Sequence, residues 1–153
     1  MRILLPAALM LAPIVAAPVT AAEGHPDYRG AAAVLADYKA ALEKRDISSV
    51  DRLFAPDAQI FENGGVEGNF ARYRDHHLGP ELKAFQSFVL GNYKVAVRGE
   101  GDIALATETY SYTITLANGD RIVRDGVATS VLKWADGAWR IVSLHSSSRK
   151  PKT

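Results

Sequence analysis

The chain has 153 residues, 48% of them apolar, with no cysteine and 18 Lys+Arg against 17 Asp+Glu. That length and apolar share fit one globular domain, and the missing cysteine excludes disulfides, an acylated lipoprotein anchor, thiolate metal sites and a cysteine nucleophile. A formal net charge of +1 gives nucleic acid or an acidic membrane no electrostatic claim as the main partner.

The chain opens on "MRILLPAALMLAPIVAAPVTAA", with a single charge at Arg2, an apolar or small run from Ile3 and small residues before Glu23. This pattern is that of a secretory signal peptide over 1–22, cut after Ala21 or Ala22. Ile3 to Ala22 is long enough to span a bilayer, but Pro6, Pro13, Pro18 and the small-residue end favour a cleaved leader. The expectation is a periplasmic or secreted protein without stable membrane insertion after cleavage. Its single domain covers 23–149, and a basic tail covers 150–153.

From Tyr28 to Arg45 the spacing predicts a helix that buries Val34, Tyr38, Ala41 and Leu42. A second short helix, "SSVDRLFA", is expected to start at Ser48 or Ser49 and to stop before Pro56. The strand "AQIFE" follows and breaks at Asn63-Gly64-Gly65. "NFARYRDHHL" then predicts a third helix, capped by Asn69 and ended by Gly79-Pro80.

Four long strand-like runs complete the chain: "FVLGNYKVAVRG", "IALATETYSYTITL", "RIVRDGVATSVLKW" and "WRIVSLHSSS". Their connections carry Asn118-Gly119 and Asp136-Gly137, which supply the positive φ of tight hairpins. The expected fold is therefore α+β: a strongly curved, cone-shaped antiparallel sheet wrapped around N-terminal helices. A small-molecule pocket is expected where the helices fail to close the sheet.

"YKAALEKRDISSVDRLFAPDAQIFENGG" and "VLKWADGAWRIVSLHSSS" resemble the opening and the last hairpin of the nuclear transport factor 2-like superfamily. Its members include ketosteroid isomerases, SnoaL-like polyketide cyclases, scytalone dehydratase and the association domain of a calmodulin-dependent kinase. In ketosteroid isomerases a tyrosine on the first helix donates to the substrate oxygen and a carboxylate on the first strand is the base. Tyr38 and Glu62 match these two positions without a gap. The resemblance implies that Ser130 stands where the isomerases carry a protonated aspartate; a hydroxyl is the weaker donor there.

At about 100° per residue His77 shares a helix face with Phe70 and Tyr73, whereas His76 points elsewhere, so the adjacent pair cannot aim at one centre. Alternation along the last strand sets Trp139, Ile141, Ser143 and His145 on one face, and Glu108, Tyr110 and Tyr112 share a face of an earlier strand. The expected catalytic set is Glu62, Tyr38, His77 and His145; the expected ligand contacts are Tyr73, Glu108, Tyr110 and Ser130. The chemistry is isomerisation, dehydration or cyclisation of a small carbonyl compound, with no cofactor.

Two other readings stand beside it. Glu62, His77 and His145 could hold zinc or iron, and cleavage after Ala22 would leave "EGH", with His25, as a terminal copper site; no paired ligand spacing supports either, so no metal is assigned. A non-catalytic reading makes the pocket a binding site and an exposed sheet face, polar at Thr107, Thr109, Ser111, Thr113 and Thr115, a homodimer interface. Bland roles also fit single residues: Tyr38 or His145 in the core, Glu62 solvating a turn, Arg72, Arg74 and Asp75 on a solvated helix face, and Trp134 and Trp139 in packing.

Overall fold

The computed structural model describes residues 26–152; the expected leader and the "EGH" segment lie outside the described residues. Helix α1 (Tyr28–Lys44) starts where the Asp27 carboxylate accepts from the Arg29 amide. It ends at Arg45, left-handed at φ 54, whose N–H reaches the Ala41 and Leu42 carbonyls. Its buried stripe is Ala31, Leu35, Tyr38, Lys39 and Leu42, with Val34 and Ala41 only partly covered. The stripe is thus rotated toward Leu35 relative to the expected face, and it carries a lysine.

In place of a second helix there is a single 3-10 turn at Val50–Leu53, which leads straight into strand β1 (Phe54–Glu62). Strand β1 starts four residues before the predicted "AQIFE" and runs through Pro56, in the interval between Phe54 and Gln59 where pairing to its neighbour is interrupted. A proline without an N–H is tolerated there because no ladder bond is missed. Strand β2 (Gly65–Gly68) returns antiparallel to β1.

The third helix does not end at Gly79-Pro80. Helix α2 (Phe70–Tyr73), capped by Asn69, passes into a wide π turn at Arg74–Leu78 and then into helix α3 (Gly79–Ala84). Gly79 donates its N–H to the Arg74 carbonyl five residues back, and Pro80 falls in the first helical turn, where its missing N–H leaves no gap. A Cβ on Gly79 would lie 2.5 Å from the Arg74 oxygen. Gly79→Ala is therefore expected to lower stability by about 1–3 kcal/mol despite alanine's better helix propensity, because the added methyl forces backbone apart. Urea unfolding followed by circular dichroism checks this, and a variant as stable as the parent would show that the turn opens without strain.

Strands β3 (Phe85–Glu100), β4 (Ile103–Leu116), β5 (Arg121–Ala135) and β6 (Ala138–Arg149) form the predicted meander. All six strands make one curved sheet in the order β2-β1-β6-β5-β4-β3. Four of the five pairings are antiparallel, but β1 lies parallel to β6, so the sheet is mixed rather than purely antiparallel. Helix α1 packs across β3, β4 and β6. Its start is pinned by Trp139, whose indole N–H donates to the Asp27 carbonyl at 3.1 Å and whose ring meets Tyr28 and Trp134.

The core lies on the helix side of the sheet and centres on Leu35, Ile60, Leu132 and Ile141. The other sheet face is open. It carries the predicted threonine row of β4 together with exposed Val89, Leu105, Val123 and Val127. Among the described residues no helix is long and apolar enough to cross a membrane.

Candidate functional site

A cavity of about 100 Å³ opens between α1, α3 and the inner face of the sheet. Four tyrosines line it, and two of them, Tyr38 from α1 and Tyr110 from β4, come from different elements. Tyr38 is held by edge-on contacts with Phe54 and Phe70, which stack on each other at 3.9 Å. Tyr110 lies over Gly126 of β5, where a Cβ would come within 2.3 Å of its ring, so the glycine makes room for it. Neither hydroxyl has a hydrogen-bond partner among the described residues. Burial pushes both phenols well above the ordinary tyrosine range, and the Glu62 and Glu108 charges add to this. Both are neutral donors at any physiological pH.

Glu62 ends β1 on the cavity wall, level with Ser146 of β6. The Tyr73 hydroxyl donates to Glu62 Oε2 at 2.5 Å, fixing that oxygen from the π-turned helix. His77 stacks against Tyr73 and stands at the rim. Its Nδ1 is 3.1 Å from Glu67, and its Nε2 is 3.4 Å from Glu81 and 4.0 Å from Glu62. Partial burial opposes the charged ring, but the bond to Glu67 and the charges of Glu81, Glu62 and Glu67 outweigh it, so its pKa is raised. The Glu81 carboxyl is also raised, by burial first and by Glu62, against the pull of His77.

A histidine whose pKa is higher folded than unfolded stabilises the fold fully below its unfolded pKa of about 6.5, and the contribution fades as pH rises through the folded value. The melting-temperature gap between the parent and His77→Gln is accordingly expected to be wide at acidic pH and to narrow as the pH rises into the alkaline range. An equal gap at both would mean that His77 acts by packing alone.

Behind the tyrosines lies a pair that the sequence reading split. Glu108 was expected as a ligand contact, but it is buried behind the cavity wall rather than on it; its partner Lys39, which does reach the wall, went unnoticed, although Ala31, Leu35 and Lys39 fall at successive i+4 positions of the buried stripe. Lys39 lines the cavity at 7% exposure, with Nζ 3.5 Å from Glu108 Oε1 and 4.6 Å from the Tyr110 ring centre. Tyr93 donates to the same oxygen at 2.9 Å, brought inward by a bulge at Asn92, φ 53. Glu108 Oε2 and Ser130 Oγ are buried without a hydrogen-bond partner among the described residues. Ser130 is buried beyond the cavity wall rather than on it.

His145 is not in the cavity. A bulge in β6 places Leu132 opposite Ile141 and Val131 opposite Ser143, so Val142 is an extra residue and the alternation flips after it. Leu144 and Ser146 therefore face inward, while exposed His145 sits outside beside Phe61. The postulated Glu62, His77 and His145 metal set is thus not assembled, and among the described residues no group of three or more His, Asp or Glu is arranged to hold a metal ion. His76 is exposed, as its helical angle predicts. Tyr112 lines the cavity on the strand face it was expected to share with Tyr110, and other residues not foreseen at the site are Glu67, Glu81, Asn63 and Ser146.

A family model described as a SnoaL-like domain matches residues 31–150. A protein of Mycobacterium tuberculosis with no assigned function is 32% identical over 98 residues, covering 58% of this chain and 60% of its own length; the chain thus spans only part of the curated relatives it matches. Among solved structures, a candidate ketosteroid isomerase from Shewanella frigidimarina has a TM-score of 0.68 at 28% identity, covering 77% of this chain and 94% of that one. A nuclear transport factor 2-like superfamily protein from Salmonella enterica has a TM-score of 0.69 at 21% identity, covering 82% and 91%. A hexachlorocyclohexane dehydrochlorinase has a TM-score of 0.68 at 14% identity, covering 79% and 84%, and shares the fold.

Proposed function

Because this chain belongs to the SnoaL-like domain family of the nuclear transport factor 2-like superfamily, we propose that its cavity binds a small carbonyl compound and moves a proton on the carbon beside the carbonyl. The observation that carries this reading is the Glu62 carboxylate, oriented by the Tyr73 hydroxyl, in one cavity with the unengaged phenols of Tyr38 and Tyr110. A carboxylate base needs an acceptor for the charge that it generates. A neutral phenol in a water-poor site donates to the developing enolate oxygen without reorganising.

Isomerisation, dehydration and cyclisation share this first step. Returning the proton at another carbon isomerises the ligand; loss of a hydroxyl from the neighbouring carbon dehydrates it; attack of the enolate carbon on a second carbonyl closes a ring. His77, part-exposed and 4.0 Å from Glu62, offers the base a route for exchanging its proton with solvent.

The test is α-deuterium incorporation. The protein is incubated in D₂O with a panel of small aliphatic, cyclic and aromatic ketones, and exchange is followed by NMR. Exchange well above the buffer rate with at least one ketone is the expected result. A panel that exchanges no faster than in buffer would overturn the reading in favour of binding without chemistry.

The proposal also places the protein outside the cytoplasm as a homodimer. Support comes from the composition of 1–22 and from the aliphatic patch at Val89, Leu105, Val123 and Val127. Cell fractionation and sedimentation velocity test the two parts separately.

A further inference from the structure

We propose that Lys39 is a second reactive group of this cavity, an amine that captures an aldehyde or ketone as a protonated imine, with Glu108 as its proton partner. The inference rests on the reading of the cavity as a carbonyl site, and it goes beyond acid–base chemistry at Glu62.

Three observations converge on it. Lys39 is almost fully buried, yet it lines the cavity, so its amine meets a ligand and not bulk water. Its nitrogen lies over both the Tyr38 and the Tyr110 ring, 5.4 and 4.6 Å from their centres. Glu108, 1% exposed and 3.5 Å away, has one oxygen engaged by Tyr93 and the other without a partner among the described residues. A carboxylate with a spare buried oxygen next to an amine can take a proton and give it back. Burial pulls the ammonium below the ordinary lysine range, although the Glu108 charge opposes it, and a lysine so desolvated carries more free amine at neutral pH.

The proton and electron flow closes. Glu108 takes one proton from the Lys39 ammonium. The Nζ lone pair attacks the carbonyl carbon while the carbonyl π pair moves to oxygen, which takes a proton from the same nitrogen to give a carbinolamine. Glu108 then protonates the hydroxyl, which leaves as water as the nitrogen lone pair forms the C=N bond. One iminium cation and one carboxylate remain, with the same total charge as the starting ion pair, and no oxidant or metal takes part. An iminium acidifies the neighbouring carbon more than a phenol-bound carbonyl does, so an imine at Lys39 would deliver to the cavity a substrate already primed for proton loss.

The test uses the unmodified protein and two probes, benzaldehyde and acetaldehyde, each with sodium cyanoborohydride at pH 7, followed by peptide mass spectrometry. Reduction fixes any imine as a stable secondary amine on the lysine that formed it. Lys44, Lys83, Lys94 and Lys133, all exposed, serve as internal references. The expected result is that Lys39 is labelled about tenfold faster than those four by at least one probe, the ratio that one tenfold gain in free amine gives. Glu108→Gln should slow labelling at Lys39 and leave the reference lysines unchanged. Labelling of Lys39 at or below the reference rate with both probes, including binding without covalent capture, overturns the proposal. That outcome leaves the Glu62 reading standing, because proton abstraction by Glu62 from a phenol-bound carbonyl requires no imine.

Discussion

Glu62→Gln is expected to cut α-deuterium exchange by about 10²–10⁴-fold, the usual contribution of a positioned general base, while leaving the fold intact. The side chain ends β1 at the cavity wall, and its oxygen accepts from the Tyr73 hydroxyl. A glutamine carbonyl accepts the same bond, so the helix contact survives and only the basic lone pair is lost. The loss should fall on the rate with bound ligand rather than on affinity, because an amide of the same shape still fills the wall. Tyr38→Phe should cost less, since Tyr110 offers a second phenol in the same cavity. If Glu62→Gln retained the parental exchange rate at an unchanged melting temperature, Glu62 would have to be removed from the mechanism.

The second large effect concerns stability. Lys39→Met alone is expected to destabilise the protein by about 3–5 kcal/mol, because it strands the Glu108 carboxylate in the core. Among the described residues Tyr93 would be its one remaining polar contact, and the other oxygen already has none. Replacing both partners, Lys39→Met with Glu108→Leu, should recover most of that loss, since a buried pair exchanged for apolar side chains is typically neutral or better. Urea midpoints at constant slope measure all three variants. A double variant no more stable than the worse single one would show that the two groups are not coupled across 3.5 Å. Recovery would mean that the pair is retained at a net cost to the fold, as expected of groups kept for what they do to a ligand.

Local pattern carried much of this architecture. The predicted spans of α1 and of the strands at Ile103–Leu116 and Arg121–Ala135 meet the observed ends within a residue, because each follows from periodicity bounded by a cap or a hairpin turn. The site was legible where a residue's place depends on its own element, as for Tyr38, Glu62, Tyr73 and Tyr110.

It was not legible where placement depends on a partner strand or on backbone geometry that breaks the period. The β6 bulge is set by register against β5, and one extra residue at Val142 turned His145 outward. Gly79-Pro80 carries the signature of a helix stop, yet five-residue hydrogen bonding lets the helix widen and continue, bringing Glu81 to His77. Lys39 was passed over because a lysine within a helix is by default a solvated residue; its burial follows from Glu108 on another strand, 69 positions away in the chain. Parallel pairing of β1 with β6 has no local signal at all, since nothing between consecutive elements encodes it.

That parallel pairing governs the order in which the protein can be completed. β1 and its hairpin partner β2 join the rest of the sheet through β6, the last strand to be synthesised, and Glu62 meets Ser146 only there. Until β6 has left the ribosome, the early hairpin has no edge to dock on, and Glu62 stands on an unmoored segment. The meander from β3 to β5 consists of sequential hairpins and can form while the chain is still growing; the cavity wall that carries Glu62 cannot. A nascent chain truncated within β6 would therefore hold most of its sheet without a closed cavity, so the ligand site would be the last feature of the fold to form.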